Sequence, residues 1–479
     1  MEINFTPLLP AAEVALAALT VLLLDLFLKE EEKGLLSWIS VLGLAIASAM
    51  TFLLWGSREG AFQDTYLLDG FSLFFSQLFI GVAVITVLSS VHYLKETGIR
   101  EGEYYALILF STFGMILMAS ANDLVVFFLG LETMSIAVYV LTGMWRERSA
   151  ASEAAMKYFI IGAFATGFLL YGVALIYGAA GSTHFDRVAA FLARPAQQWP
   201  LFFYAGIFLL LVGLAFKVAA VPFHFWVPDV YEGAPTPIAG FMAVGVKAAA
   251  FAGWARIFLT QLAPVQSEWT FPLWVLAVLT MTLGNLLAIV QTSVKRMLAY
   301  SSIAHAGYLL IGVVAGNEAG GQALLFYLLT YAPMTLGAFG VVMALKKGDE
   351  DHEGYSDYGG LGWKRPFLAM AMSLFMLSLA GFPPLAGFTG KFYLFRSAVV
   401  EGYTSLAVVG ALNSVLSVIY YLRVIVLMYM EEGGVEGKSF GAAPCLYAAI
   451  AISVIGTLYL GLLPATALDL SRLAFLSLR

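Results

Sequence analysis

Fourteen apolar runs divide the chain, near residues 8–28, 35–55, 71–94, 104–120, 123–143, 155–178, 201–222, 237–262, 270–293, 298–315, 321–345, 366–399, 404–429 and 443–463. Each approaches or exceeds the roughly 20 residues a helix needs to cross a bilayer, whose interior offers nothing to an unpaired N–H or C=O. The spacing predicts an all-α polytopic membrane protein with 14 transmembrane helices, in a single domain without a stretch polar enough for a separate soluble unit. Only 12% of the residues are charged, about half the share a water-facing surface carries. The first run lacks a basic flank and carries Glu13 and Asp25, so no cleavable signal peptide is read there.

Charge then excludes several functions. A net charge of −6 argues against a nucleic-acid partner. The single cysteine, Cys445, rules out a disulfide framework or a cysteine-ligated cluster held by this chain alone. Five histidines without HExxH spacing leave no metal site to predict. No glycine-rich phosphate loop, dinucleotide fingerprint or catalytic triad is present, and many of the 46 glycines fall in spans, where small residues let helices approach closely.

Lysine and arginine fall unevenly between the two sets of loops. Lys29, Lys33, Lys95, Arg100, Arg146, Arg148, Lys295, Arg296, Lys346, Lys347, Lys364, Arg365 and Lys438 follow odd-numbered spans, against Arg58, Arg187, Arg194, Arg472 and Arg479 on the other side. The positive-inside rule therefore puts both termini outside, on the positive side of the membrane. Arg256, Arg396 and Arg423 stand near span ends and are expected to snorkel to the headgroups.

The remaining lysines lie where lipid should forbid them. Lys247, in AVGVKAAAFAGWARIF, is deep in the eighth span; a lysine at mid-bilayer costs about 3 kcal/mol even on the lenient scale and should face protein or a water-filled cavity. Lys217 precedes Pro222 in the seventh span, where the missing N–H breaks or kinks the helix. Lys391 follows Gly381, Pro383, Pro384, Gly387 and Gly390 in the twelfth. Two Gly/Pro-interrupted spans five apart predict broken helices 7 and 12 in two inverted five-helix repeats. Glu132, mid-span in the fifth, can ionise beside a lysine.

Lys157 opens the sixth span, where it is an interfacial lysine or part of the buried set. His224 sits in the PFHFW break and His305 a few residues into the tenth span; imidazole titrates near neutrality and can relay protons. Tyr300, Ser301, Ser302 and Tyr308 can extend such a path. Asp229 and Glu232 are read as part of an inner-face connector, and Glu13 and Asp25 have no assigned partner. Low dielectric penalises a charged amine, so a buried lysine can gain and lose a proton. A row of Glu132, Lys217, Lys247 and Lys391 would carry protons laterally through the membrane.

The strings GLETMSIAVYVL, FKVAAVPFHFWVPDVYEGAPTP, KRMLAYSSIAHAGYLL and GFPPLAGFTGKFYLF, with the Lys247 helix, resemble the antiporter-like subunit family of respiratory complex I, NADH-quinone oxidoreductase, along almost the whole chain. The resemblance implies a proton relay of Glu132 in the fifth helix, Lys217 in the broken seventh, Lys247 in the eighth and Lys391 in the broken twelfth, with Lys157 near the Glu–Lys pair. It implies repeats over helices 4–8 (about 104–262) and 9–13 (about 270–429), flanked by helices 1–3 and 14. It also implies proton pumping coupled to NADH oxidation and quinone reduction, with flavin and iron–sulfur clusters in partner subunits and no cofactor or metal in this chain. M- and K-type membrane-arm neighbours and lipids are the expected partners. A lysine where the M-type is expected to carry glutamate in the twelfth helix, and the absence of the L-type's long lateral helix, favour the N-type. The alternatives are the D-type subunit of a multisubunit Na⁺/H⁺ antiporter and, in a different class, a passive spacer of the membrane arm.

Overall fold

The computed structural model describes residues 4–195, 199–345, 353–433 and 443–478. Lys346, Lys347, Lys438 and Arg479 from the loop-charge comparison lie outside them. Among the described residues thirteen helices are long and apolar enough to cross a membrane. They are α1 (Thr6–Asp25), α2 (Leu35–Leu53), α3 (Gly70–Thr97), α4 (Glu101–Ser120), α5 (Leu124–Thr142), α6 (Ser149–Ala180), α7 (Leu201–Val218), α8 (Thr236–Gln261), α9 (Ala263–Ile289), α10 (Val294–Ala315), α11 (Glu318–Ala344), α13 (Thr404–Met430) and α14 (Pro444–Leu462). The twelfth predicted span is two short helices, α12a (Pro366–Ala380) and α12b (Ala386–Val400). Prolines 383 and 384 remove two N–H groups in succession and end the first half.

α8, α10 and α11 form the interior, and the most apolar window of α8 is wholly buried. α1, α2, α9, α13 and α14 leave Leu16, Leu42, Leu286, Leu412 and Ile455 exposed, as a lipid-facing shell should. Small residues set the closest approaches. A Cβ placed at Gly114 of α4 would lie 2.5 Å from Met134 N and 2.6 Å from the Gly130 carbonyl of α5. No other residue fits there, because the two backbones themselves are in contact.

The two breaks are built alike. α7 ends on Ala219, held at φ 60°, and α12a ends on Gly381 at φ 94°. Such a left-handed residue terminates a helix and turns the chain away; for alanine it carries a steric penalty of about 1 kcal/mol or more. The short helix Trp226–Gly233 follows the first break. Phe225 and Phe382 are exposed at their respective breaks, as are Pro222, Pro383 and Pro384, so both interruptions open towards the perimeter.

Three pieces were not foreseen. A hairpin pairs Glu59–Ala61 with Tyr66–Leu68, a helix covers Phe185–Leu192, and another covers Ala465–Leu476. All are too short or too polar to register as spans. The last is tied down where Ser477 Oγ accepts the Phe71 N–H at 2.7 Å.

Arg256 does not snorkel. It is buried, its Nη2 donating to both Asp69 oxygens at 2.8 Å and its Nε to the Ala119 carbonyl, with the guanidinium 5.0 Å from the Phe71 ring centroid. The physical reason is local: Asp69 caps α3 by accepting the Ser72 N–H at 2.7 Å, which fixes a carboxylate within reach of α8. Water is then not needed. Arg396 and Arg423 are exposed as expected, and Asp25 finds Lys33 at 3.4 Å.

Removing one member of a buried charge pair leaves the other uncompensated, at a cost of about 3–5 kcal/mol. Arg256→Leu alone should therefore lower the thermal unfolding temperature of the purified protein markedly, and Arg256→Leu with Asp69→Leu should recover much of the loss. Equal melting of the single and double variants would show that the pair does not clamp α3 to α8.

Candidate functional site

A row of buried amines occupies the middle of the helix bundle. Lys217, Lys247 and Lys391 are 2%, 2% and 3% exposed. Lys217 stands on the last turn of α7, and its Nζ donates to Ser135 Oγ at 2.8 Å and Tyr139 Oη at 3.2 Å on α5. The Tyr139 and Phe216 rings lie 5.4 and 5.8 Å from it. Glu132, Ser135 and Tyr139 share one face of α5 through their i, i+3, i+7 spacing. The lysine nevertheless meets the two hydroxyls and forms no ion pair with Glu132 among the described residues, and Glu132 Oε1 is buried without a hydrogen-bond partner. The expected Glu–Lys contact is thus absent among the described residues.

Lys247 follows a π-helical segment, Met242–Val246; such widened turns are frequent at functional sites. Its Nζ donates to the Ser302 carbonyl at 2.6 Å and to Ser302 Oγ at 2.8 Å on α10. One turn further along α10, His305 is 1% exposed. Its Nδ1 lies 2.6 Å from Tyr327 Oη and its Nε2 3.0 Å from Tyr421 Oη; Tyr421 Oη also bonds Ser301 Oγ.

Lys391 uses the second break directly. Its Nζ donates to the Leu379 and Ala380 carbonyls at 2.9 and 3.1 Å, groups left without an intrahelical partner where α12a ends. The C-terminal pole of that half-helix favours a cation. The Tyr308 ring lies 4.7 Å from the nitrogen, and Tyr308 Oη accepts from Asn285 Nδ2 at 3.3 Å.

Lys157 belongs elsewhere. α6 starts six residues earlier than its apolar run suggests, and Lys157 pairs with Glu153 at 2.7 Å and Asp229 at 3.0 Å at a half-exposed rim. There Arg296 Nη1 donates to Asp229 Oδ1 at 3.0 Å and to Glu232, both carried by the short helix Trp226–Gly233. Lys295 is buried alongside, donating to Glu353 Oε1 at 2.8 Å and to the Glu232 and Ala234 carbonyls. His224 stands in the outward-facing break with its buried Nδ1 unpartnered, and among the described residues no hydrogen bond joins it to the lysines. Among the described residues no group of three or more His, Cys, Asp or Glu gathers as a metal would require.

Sequence reasoning missed Ser135, Tyr139, Tyr327, Tyr421 and Asn285. The first two were recoverable from their helical register with Glu132. The other three reach His305 and Tyr308 only through tertiary packing.

Residues 121–417 match the family described as NADH:quinone oxidoreductase/Mrp antiporter, TM. The chain is 46% identical over 472 residues to NADH-quinone oxidoreductase subunit N of Trichlorobacter lovleyi, covering 98% of this chain and 97% of that one. It is 44% identical over 462 residues to subunit N 2 of Roseiflexus castenholzii, covering 95% and 93%. Among solved structures it is similar to a chain of respiratory complex I from Thermus thermophilus, with 38% identity, a TM-score of 0.82 and coverage of 97% and 99%. A chain of the Mrp complex from Dietzia sp. superposes with a TM-score of 0.86 at 22% identity over 99% and 98%, a likeness of fold.

The rim cluster carries a pH dependence. Burial alone would raise the Asp229 carboxyl, but hydrogen bonds and charges from Lys157 and Arg296 outweigh it and hold the group below its ordinary range. Its contribution to stability is complete above the ordinary aspartate range and is lost as pH falls through the depressed value. Thermal unfolding of Asp229→Asn should therefore fall below the parent at neutral pH and converge with it in strong acid. A gap that stays constant with pH would contradict the assignment.

Proposed function

The chain belongs to the NADH-quinone oxidoreductase subunit N family, and from that membership we infer that it is a proton-translocating membrane-arm subunit of complex I, a multi-pass membrane protein working with the other subunits of that enzyme. The observation that carries the reading is that Lys217, Lys247 and Lys391 are buried on neutral acceptors, namely hydroxyls, a serine and two carbonyls. Hydrogen bonds to an ammonium are strong enough to hold it in place, yet none of these acceptors carries a charge that must be separated when the amine releases its proton.

The relay runs from Glu132 and Lys217 through Lys247 and His305 to Lys391. Glu132 is the movable counter-charge: a carboxylate brought against Lys217 stabilises the ammonium, and its withdrawal favours release. Lys157 and the rim carboxylates lie at one mouth of the path, and His224 is at most an accessory to it. The two repeats are α4–α8 and α9–α13, flanked by α1–α3 and α14. The paired breaks, five spans apart, support that division.

The membrane is the inner membrane of a bacterium, with both termini on the outer side, as the thirteen-to-five bias of basic residues between loops suggests. Each proton driven against 100 mV needs about 2.3 kcal/mol, and the energy comes from NADH oxidation and quinone reduction in partner subunits, which hold the flavin and iron–sulfur clusters. M- and K-type subunits are its immediate neighbours. The antiporter alternative rests on a fold likeness at 22% identity and is the weaker reading. A passive spacer would not need three desolvated amines.

Lys217→Ala and Lys247→Ala in the assembled enzyme should each abolish or strongly reduce quinone-linked proton translocation in sealed vesicles. NADH oxidation by an artificial electron acceptor should stay at the parent rate. Normal assembly with full translocation in both variants would refute the relay. Na⁺ efflux that persists without NADH would favour the antiporter.

A further inference from the structure

Resting on the relay reading above, we propose that Gly162 and Trp226 are positioning residues for the Lys217 amine, and that both act through the Tyr139 phenol. Neither offers the lysine a hydrogen bond of its own among the described residues. Together they hold in place the one acceptor that its own helix cannot.

The two acceptors of Lys217 Nζ, Ser135 Oγ at 2.8 Å and Tyr139 Oη at 3.2 Å, differ in kind. The serine oxygen is bonded directly to Cβ and donates back to the Leu131 carbonyl of α5, so the α5 backbone places it. The tyrosine oxygen lies at the far end of a ring, where a modest torsion of the side chain sweeps it out of reach. Its position must be set from outside α5.

α6 supplies the seat. Tyr158 and Gly162 are four residues apart and share one face of that helix. The Tyr158 and Tyr139 rings meet edge-on, with centroids 4.6 Å apart at 88°, the arrangement that brings the positive edge of one ring to the negative face of the other. One turn further on, a Cβ added at Gly162 would fall on the Tyr139 oxygen itself and 2.7 Å from its Cζ. A methyl group there cannot coexist with the hydroxyl in its observed place. Glycine is a poor helix former, and residue 162 lies inside α6 without a left-handed backbone. The missing side chain is therefore explained by the oxygen it accommodates.

Trp226 holds the seat from the other side of the break. It is the first residue of the short helix Trp226–Gly233. Its indole stacks on Tyr158 at 4.4 Å and 8° and on Phe216 at 5.2 Å and 28°. All three rings are buried. Phe216 precedes Lys217 in the chain, and its ring lies 5.8 Å from the amine. The indole thus joins the ring beside the lysine to the ring beside its acceptor. The far end of the same helix is pinned where Asp229 and Glu232 meet Lys157 and Arg296. Without this clamp Tyr139 is free to turn, and one N–H of a buried ammonium loses its partner, a cost the parent does not bear.

The test measures quinone-linked proton translocation by the assembled enzyme in sealed vesicles, normalised to NADH oxidation by an artificial acceptor. Gly162→Ala and Tyr139→Phe are each expected to lose most of the parent translocation. The double variant is expected to lose no more than Tyr139→Phe alone, because the added methyl and the deleted oxygen abolish the same contact. Trp226→Leu should fall likewise, and Trp226→Phe, which keeps a ring to stack, should recover most of the loss. A merely structural role would lower the unfolding temperature and the amount assembled, and the losses in the double variant would multiply. With Lys217→Ala inactive, multiplying losses, or parent-level translocation in Gly162→Ala or Tyr139→Phe, would overturn the positioning role and leave the relay standing. Full translocation in Lys217→Ala would remove both. Should Gly162→Ala not assemble, the Trp226 pair carries the test, and equal translocation in Trp226→Leu and Trp226→Phe would refute the proposal.

Discussion

An ammonium taken out of water must find acceptors, and the kind of acceptor decides what it can do afterwards. At an effective dielectric of 20, a carboxylate 4 Å away holds the charge with about 4 kcal/mol, which fixes one protonation state. The lysines here divide along that line. Lys157 and Lys295 lie against carboxylates at 2.7–3.0 Å and serve as ties between segments. Among the described residues Lys217, Lys247 and Lys391 have hydroxyl and carbonyl oxygens only, so either protonation state keeps a partner.

The broken helices supply those acceptors. A continuous helix consumes its own carbonyls, so it has none to offer a buried lysine. Ending α12a at Gly381 releases the Leu379 and Ala380 oxygens, and the buried Lys391 from α12b occupies them. At the first break the lysine lies on the half before the interruption and reaches across to α5 instead. Thr280 of α9 takes the Val221 N–H at 2.9 Å, which keeps the frayed backbone satisfied. The same device thus serves two lysines by different donors and acceptors.

Much of this was legible in the residues. Apolar length gave the membrane fold and nearly every span, and depth within a span singled out Lys217, Lys247 and Lys391, because lipid penalises a buried charge regardless of its neighbours. The proline breaks followed from the missing N–H alone. Three kinds of feature were out of reach. Arg256 sits near a helix end and so reads as a snorkelling residue; only the position of Asp69, 187 residues away in the chain, reverses that. The Glu132–Lys217 separation is a matter of rotamer and register that no motif encodes. Tyr327 and Tyr421 look like ordinary span tyrosines, since a hydroxyl inside a helix most often bonds its own backbone; their convergence on His305 is created by the packing of α10, α11 and α13.

The contact between α4 and α5 has a mechanical meaning. Side chains at an interface act as lubricant, exchanging rotamers as one helix slides on the other; between Gly114 and Gly130 there are none, and the peptide planes themselves mesh. The pair therefore behaves as one stiff stave. Glu132 lies on that stave, two residues after Gly130, and its backbone cannot advance towards Lys217 without carrying α4 along. Any change in the Glu132–Lys217 separation is therefore left to torsion of the carboxylate itself or to the end of α7 that carries Lys217, because the backbone beneath Glu132 is braced by a second helix.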